Sequence, residues 1–119
     1  MAYNRRRIGS GYEDMAAAFL RQNNYDIIER NYYGRHGEID IIAKEGDYLV
    51  FVEVKYRFSD KTGMPSEAVS YYKRRNIVNT AREYIYKKGI SENTPIRFDV
   101  VSILDRSIKV IKNAFEVQG

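Results

Sequence analysis

Residues 37–55, GEIDIIAKEGDYLVFVEVK, constrain the fold more than any other stretch of the chain. Apolar residues alternate with others on both sides of KEGD, which predicts two antiparallel strands, 38–43 and 48–55, joined by a tight turn. Alternation sends Ile39, Ile41, Ala43, Val50, Val52 and Val54 to one face. Glu38, Asp40, Phe51, Glu53 and Lys55 go to the other. Register then decides which polar groups meet. With Gly46-Asp47 as the loop, Asp40 opposes Glu53 and Glu38 opposes Lys55. With Glu45-Gly46, Asp40 opposes Phe51 and Glu38 opposes Glu53. In either register Asp40 and Glu53 share a face, roughly 5–8 Å apart at Cβ.

Two carboxylates this close repel each other, and ionising both on an apolar sheet is costly. A divalent cation removes both objections. Magnesium and manganese accept a few carboxylate oxygens and leave other positions to water and substrate phosphate. Lys55, two residues past Glu53 on the same side, is placed to orient a water or to stabilise charge on a phosphorus centre under attack. The parts suit metal-dependent phosphodiester hydrolysis. A cross-strand salt ladder with Glu38 paired to Lys55 is the plain alternative.

Around the hairpin the chain reads as α-β-β-β-α-β-β. A first helix spans 10–23, with Met15, Ala16, Phe19 and Leu20 spaced for a buried face. Ser10 is its expected N-cap, and Ser10 to Glu13 has capping-box spacing, which accounts for Glu13 without chemistry. Residues 25–32 form a strand, 59–65 a polar loop and 66–88 a long helix with Val69, Tyr72, Ile77, Ala81 and Ile85 near one face. Gly89 ends that helix. IRFDVVSIL (96–104) is a buried strand and SIKVIKNAF (107–115) its hairpin partner across Asp105-Arg106. Such an order gives a mixed sheet with helices packed on it.

A chain of 119 residues is one domain on length, here 1–119 with 1–8 as a flexible basic lead. With no cysteine, disulfides, thiolate metal sites and cysteine nucleophiles are excluded. The apolar patch after Arg5–Arg7 is too short for a signal peptide, and no stretch is long enough to span a membrane, so a cytoplasmic location is expected. Net charge is +4. Tyrosines interleave with basic residues in YYKRR (71–75) and YIYKK (84–88), a mixture suited to phosphates and bases and equally to solvated helix faces.

The motifs as a set resemble a known superfamily. A helix bearing Glu13, then GEIDIIA (37–43) and FVEVKYR (51–57), is similar to the PD-(D/E)xK, or restriction-endonuclease-like, nucleases. Their α-β-β-β-α-β core agrees with the order above. The similarity is closer to the small bacterial YraN-like family, an uncharacterised protein family. It runs over residues 9–104 through Gly9-x-Gly11-x-Glu13, Arg30-Asn31, GMPSEAV (63–69), Lys73-Arg74-Arg75 and RFDVV (97–101). Archaeal Holliday junction resolvases share the helix Glu, the Asp and the Glu-x-Lys. Ile39 stands where the superfamily's nominal motif has proline. The resemblance implies Asp40 and Glu53 as ligands of Mg2+ or Mn2+, Lys55 as catalytic lysine and Glu13 as the fourth catalytic residue. Arg57, Lys73, Arg74 and Arg75 would contact nucleic acid, with branched or structured DNA as candidate substrate. A non-catalytic nucleic-acid-binding module on the same fold is the alternative, and a homodimer the candidate assembly.

The remaining candidates have simpler accounts. His36 is the sole histidine and, with no partner ligand nearby in sequence, is expected on a surface loop. Asp99 lies two residues from Arg97 on one face, as a structural ion pair would.

Overall fold

The computed structural model describes residues 5–57, 70–105 and 107–116, with side chains from residue 11 onward. Helix α1 covers Arg5–Gln22 and is followed by strands β1 (Asp26–Gly34), β2 (Gly37–Glu45) and β3 (Tyr48–Arg57). Helix α2 covers Tyr71–Lys87, and β4 (Ile96–Leu104) and β5 (Ser107–Phe115) complete the chain. The five strands form one sheet in the order β1-β2-β3-β4-β5. All neighbours are antiparallel except β3 and β4, which are parallel because α2 carries the chain back between them. This is the expected mixed α/β architecture, compatible with a restriction-endonuclease-like core.

The two helices cover opposite faces. Ile77, Val78, Ala81 and Tyr84 of α2 pack against Ile42, Leu49, Phe51, Phe98 and Val100. Ala16, Ala17 and Leu20 of α1 pack against Ile41, Ala43, Val50, Val52, Val101 and Ile103. Central strands are therefore buried on both sides. Each such side chain removed from water contributes roughly 1.5–3 kcal/mol.

Several local expectations change. The first helix opens at Arg5 rather than Ser10, so the expected flexible lead of 1–8 overlaps helix from Arg5 on. Arginine is a good helix former, and three in a row carry the helix through Gly9 to Ser10. Ser10 thus lies inside the helix, and the capping-box account of Glu13 falls away. Met15 is exposed and Ala17 buried, because two alanines let the helix sit close while Met15 points aside. On α2, Ser70 is extended, and its side chain accepts the Lys73 backbone N–H at 3.1 Å. The helix therefore begins at Tyr71, not at 66, and Tyr72 is exposed. The loop 59–65 and Val69 fall outside the described residues. Gly89 has the expected terminating role: at φ 64 it donates to the Tyr86 carbonyl while Ile90 donates to that of Ile85.

One end of the sheet carries a closed polar network. Asp99 is wholly buried, where the β4–β5 register shifts between Phe98 and Val100. Its Oδ1 accepts the Asn113 N–H at 2.9 Å and Arg97 Nε at 2.8 Å, and its Oδ2 accepts the Tyr25 hydroxyl and Arg97 Nη2, each at 2.8 Å. Arg97 continues to Glu45 at 2.6 Å, and Lys112 reaches the same carboxylate. Burial alone would raise the pKa of Glu45, but the bonds from Lys112 and Arg97 outweigh it and hold the group below its ordinary value. The expected Arg97–Asp99 ion pair is present.

Candidate functional site

The β2–β3 hairpin takes the Gly46-Asp47 loop. Its ladder runs from Glu45↔Tyr48 to Ile41↔Val52. One step further the same register would set Asp40 opposite Glu53. There the ladder stops, although β1 remains paired with β2 as far as Gly34↔Gly37. The Val54 N–H, which continued pairing would direct at the Ile39 carbonyl, donates instead to Asp40 Oδ2 at 2.8 Å. A side-chain carboxylate has replaced a backbone acceptor, and the two strands part around it.

This substitution alters the faces. Ile39 packs with Ile42, Phe51 and the α2 residues, not with Ile41 and Ala43 as strict alternation predicts. Turning Asp40 toward β3 breaks the two-residue period at that position. The parting also separates Glu38 from Lys55. Lys55 pairs with Glu53 instead, Nζ to Oε2 at 3.7 Å.

Asp40 and Glu53 are 8% and 4% exposed. Burial, then the charge of Glu53 and a hydrogen bond with it, push the pKa of Asp40 up to about 9. Glu53 has cations on its other side. Lys73 Nζ reaches its Oε2 at 3.2 Å from α2, closer than Lys55 does. Burial lowers the pKa of Lys73, but the charge and hydrogen bond of Glu53 more than reverse this and leave it raised.

Glu13 approaches from α1. Its pKa is raised by burial and by Glu38, with a hydrogen bond from Asn31 opposing. Asn31 occupies the left-handed region at φ 54, where asparagine is among the few non-glycine residues tolerated. Neighbouring Arg30 is tied to Asp14 at 2.7 Å. Beside Lys55, the rings of Tyr12 and Tyr56 stack at 3.7 Å, and the hydrogen bond with Tyr12 pushes the Tyr56 hydroxyl up to about 12. This contact also holds α1 to β3.

The expected site residues therefore divide. Asp40, Glu53 and Lys55 come together, and Glu13 lies close enough to act on Asp40 through its charge. Lys73, expected to contact nucleic acid from an exposed face, pairs with Glu53 while its side chain stays 45% exposed. Its spacing carries the signal: it precedes the buried Ile77 by one turn and Tyr84 by three, so it belongs to the core stripe. Arg57 lies two side-chain positions past Lys55, its backbone paired with β4. Arg74 and Arg75 face a cleft on another side of α2. His36 is exposed in the β1–β2 turn.

As metal ligands, Asp40 and Glu53 supply two carboxylates whose mutual repulsion a divalent cation would relieve. One or two carboxylates with waters and a substrate phosphate are what magnesium ordinarily takes. Among the described residues no group of three or more His, Cys, Asp or Glu side chains is placed to hold a metal alone. The donor set fits an ion that shares its coordination with water and substrate, not a closed structural site.

Two helices over a mixed sheet, opened at one hairpin by a carboxylate pair, define a small α/β domain compatible with a nuclease-like core. Sequence comparison gives it a family. The chain belongs to the uncharacterised protein family UPF0102, whose pattern matches residues 12–103. It is similar to a UPF0102 protein of Lachnoclostridium phytofermentans, 48% identical over 98% of each chain. It is also similar to one of Clostridium botulinum strain 657, at 43% identity over 98% of this chain and all of the relative. Among the described residues no helix is long and apolar enough to cross a membrane.

Proposed function

We propose that the protein is a divalent-metal-dependent nuclease that hydrolyses phosphodiester bonds in DNA. One observation carries the reading: a buried, mutually repelling Asp40–Glu53 pair at the point where β2 and β3 part. A fold gains no stability from two acids in that position, so a cation-binding role accounts for them. Asp40 and Glu53 would hold Mg2+ or Mn2+, which when bound lowers the pKa of a water and neutralises charge on a phosphate. Lys55 would orient the attacking water, and Lys73, released from Glu53, would meet a non-bridging phosphate oxygen. Glu13 would bias Asp40 through its charge. Arg57, Arg74 and Arg75 would hold the backbone of the strand.

A nucleic-acid-binding module without chemistry is the second reading. The Lys73 ammonium 3.2 Å from Glu53 favours it, because it already supplies a positive charge to the carboxylate pair.

The test sets wild type beside Asp40→Ala on single-stranded, duplex, flapped and four-way-junction DNA, in manganese and in chelator. Cutting that needs manganese and disappears in the variant supports the nuclease. Equal gel shifts by both proteins, without cutting, establish the binding module instead.

A further inference from the structure

On the side of α2 away from Lys73, a cleft of about 490 Å3 lies between the helix and the end of β5. Tyr71, Arg74, Arg75 and Arg82 line its helical wall, and Phe115 and Glu116 its other side. Several basic side chains elsewhere in the described structure have carboxylate partners. Arg30 has Asp14, Arg97 has Asp99 and Glu45, Lys87 has Glu83, and Lys55 and Lys73 share Glu53. None of the described ion pairs takes Arg74, Arg75 or Arg82, although Glu116 lines the same cleft. Three unpaired guanidinium groups converging on a concavity make an anion site.

Its walls add an aromatic element. Tyr71 is 62% exposed, and Phe115 is stacked on Phe98 with ring centroids 5.1 Å apart, giving a rigid apolar floor. Planar guanidinium groups beside an exposed ring recur where single strands are bound, because phosphates and unstacked bases are met together. The volume lies in the range of roughly 300–1,000 Å3 common for small-ligand sites. It is large enough to admit a single nucleotide. Position supports the same occupant over a free anion. Lys73 and Arg74 are consecutive on α2 and diverge by about 100°, one toward Glu53 and the other into the cleft.

We infer that this cleft is a binding site for an unpaired nucleotide: Arg74, Arg75 and Arg82 take the strand's phosphates, and Tyr71 stacks on the base. Resting on the nuclease reading, the inference names the substrate class as DNA with unpaired nucleotides beside the scissile bond.

The test measures binding of a fluorescein-labelled oligo(dT) and of a blunt duplex by anisotropy in chelator, over a salt series. Wild type, Tyr71→Ala and Arg82→Ala are compared, with circular dichroism melts to confirm that each variant is folded. The expected result is at least a fivefold loss for oligo(dT) in each variant, with duplex affinity changed less than twofold. The Arg82→Ala line should also be shallower by about one in log K against log salt. Equal losses for both ligands, or none, would overturn the proposal. So would complete displacement of oligo(dT) by millimolar inorganic phosphate at constant ionic strength, which would mark a free-anion site. The same labelled strand incubated with wild type in manganese tests the other reading separately. Absence of cutting there and on the duplex, flapped and four-way-junction DNA sinks the nuclease, while the binding comparison decides the cleft.

Discussion

Asp40 and Asp99 face the same structural problem and meet different surroundings. Each is a buried aspartate at a break in a ladder, and each accepts a backbone N–H from the adjacent strand, from Val54 and Asn113 respectively. Around Asp99 the fold places a guanidinium and a phenol, so that a negative charge is matched and both oxygens are used. Around Asp40 it places a second carboxylate, and the nearest ammonium groups turn to Glu53. A satisfied carboxylate of the first kind ties β4 to β5 and to Tyr25, just ahead of β1. One of the second kind has a backbone N–H and a second carboxylate beside it, with no cation of the chain paired to it among the described ion pairs.

The contrast is broken most directly by removing each acid. Asp99→Ala leaves Arg97 buried and the Tyr25 hydroxyl without its acceptor, and should cost about 3–5 kcal/mol in urea unfolding. A loss below 1 kcal/mol would show the network to be dispensable. At the other site, Asp40→Asn should abolish manganese-dependent cutting by roughly 100-fold or more, since even changes behind a metal's direct ligands cost 10–100-fold. The same variant should unfold at higher temperature than wild type at pH 8, because an amide can accept from Val54 and donate to Glu53 without taking up a proton on folding. A drop in melting temperature would place Asp40 with Asp99 as a structural group.

Titration sharpens the difference. The Asp40 pKa is raised on folding, so between about pH 4 and 9 the native protein keeps a proton that the unfolded chain releases. This contribution is full at the acid end and is lost as pH climbs through the native value, at up to about 1.4 kcal/mol per pH unit. Urea unfolding of wild type against Asp40→Asn from pH 5 to 9 should show the wild type losing stability faster. Parallel curves would contradict the raised value. The smallest effect expected is at Lys73. Lys73→Met removes an ammonium that competes for Glu53, and calorimetry should find Mn2+ affinity raised a few-fold even as DNA binding weakens. Reduced Mn2+ affinity would show that Lys73 positions Glu53 for the metal instead.

Much of this was legible in sequence because it depends on local period. The hairpin, the nearness of Asp40 to Glu53, the Gly89 stop and the Arg97–Asp99 pair all follow from spacing of two or a few residues. What escaped depends on contacts that spacing does not encode. Ile39 changed face because a carboxylate left the pleat to replace a carbonyl, which only the neighbouring strand reveals. The start of α1 was obscured by Ser10, a good cap that the chain does not use as one. Lys73 reached Glu53 only once the crossover had set α2 over β3, and the sequence shows the stripe it lies on without showing what the stripe covers. The three arginines of the cleft came together with Phe115 for the same reason.

The sheet's spatial order is its order along the chain. Three of the four strand pairings can therefore form between immediate neighbours, as hairpins close within microseconds. Only the β3–β4 pairing waits, because its two strands are separated by the whole α2 excursion. Closure of that single long loop carries the largest chain-entropy cost of the four pairings. On a growing chain, where synthesis proceeds from the N-terminus, Asp40 and Glu53 are already side by side before Lys73 arrives to neutralise either of them.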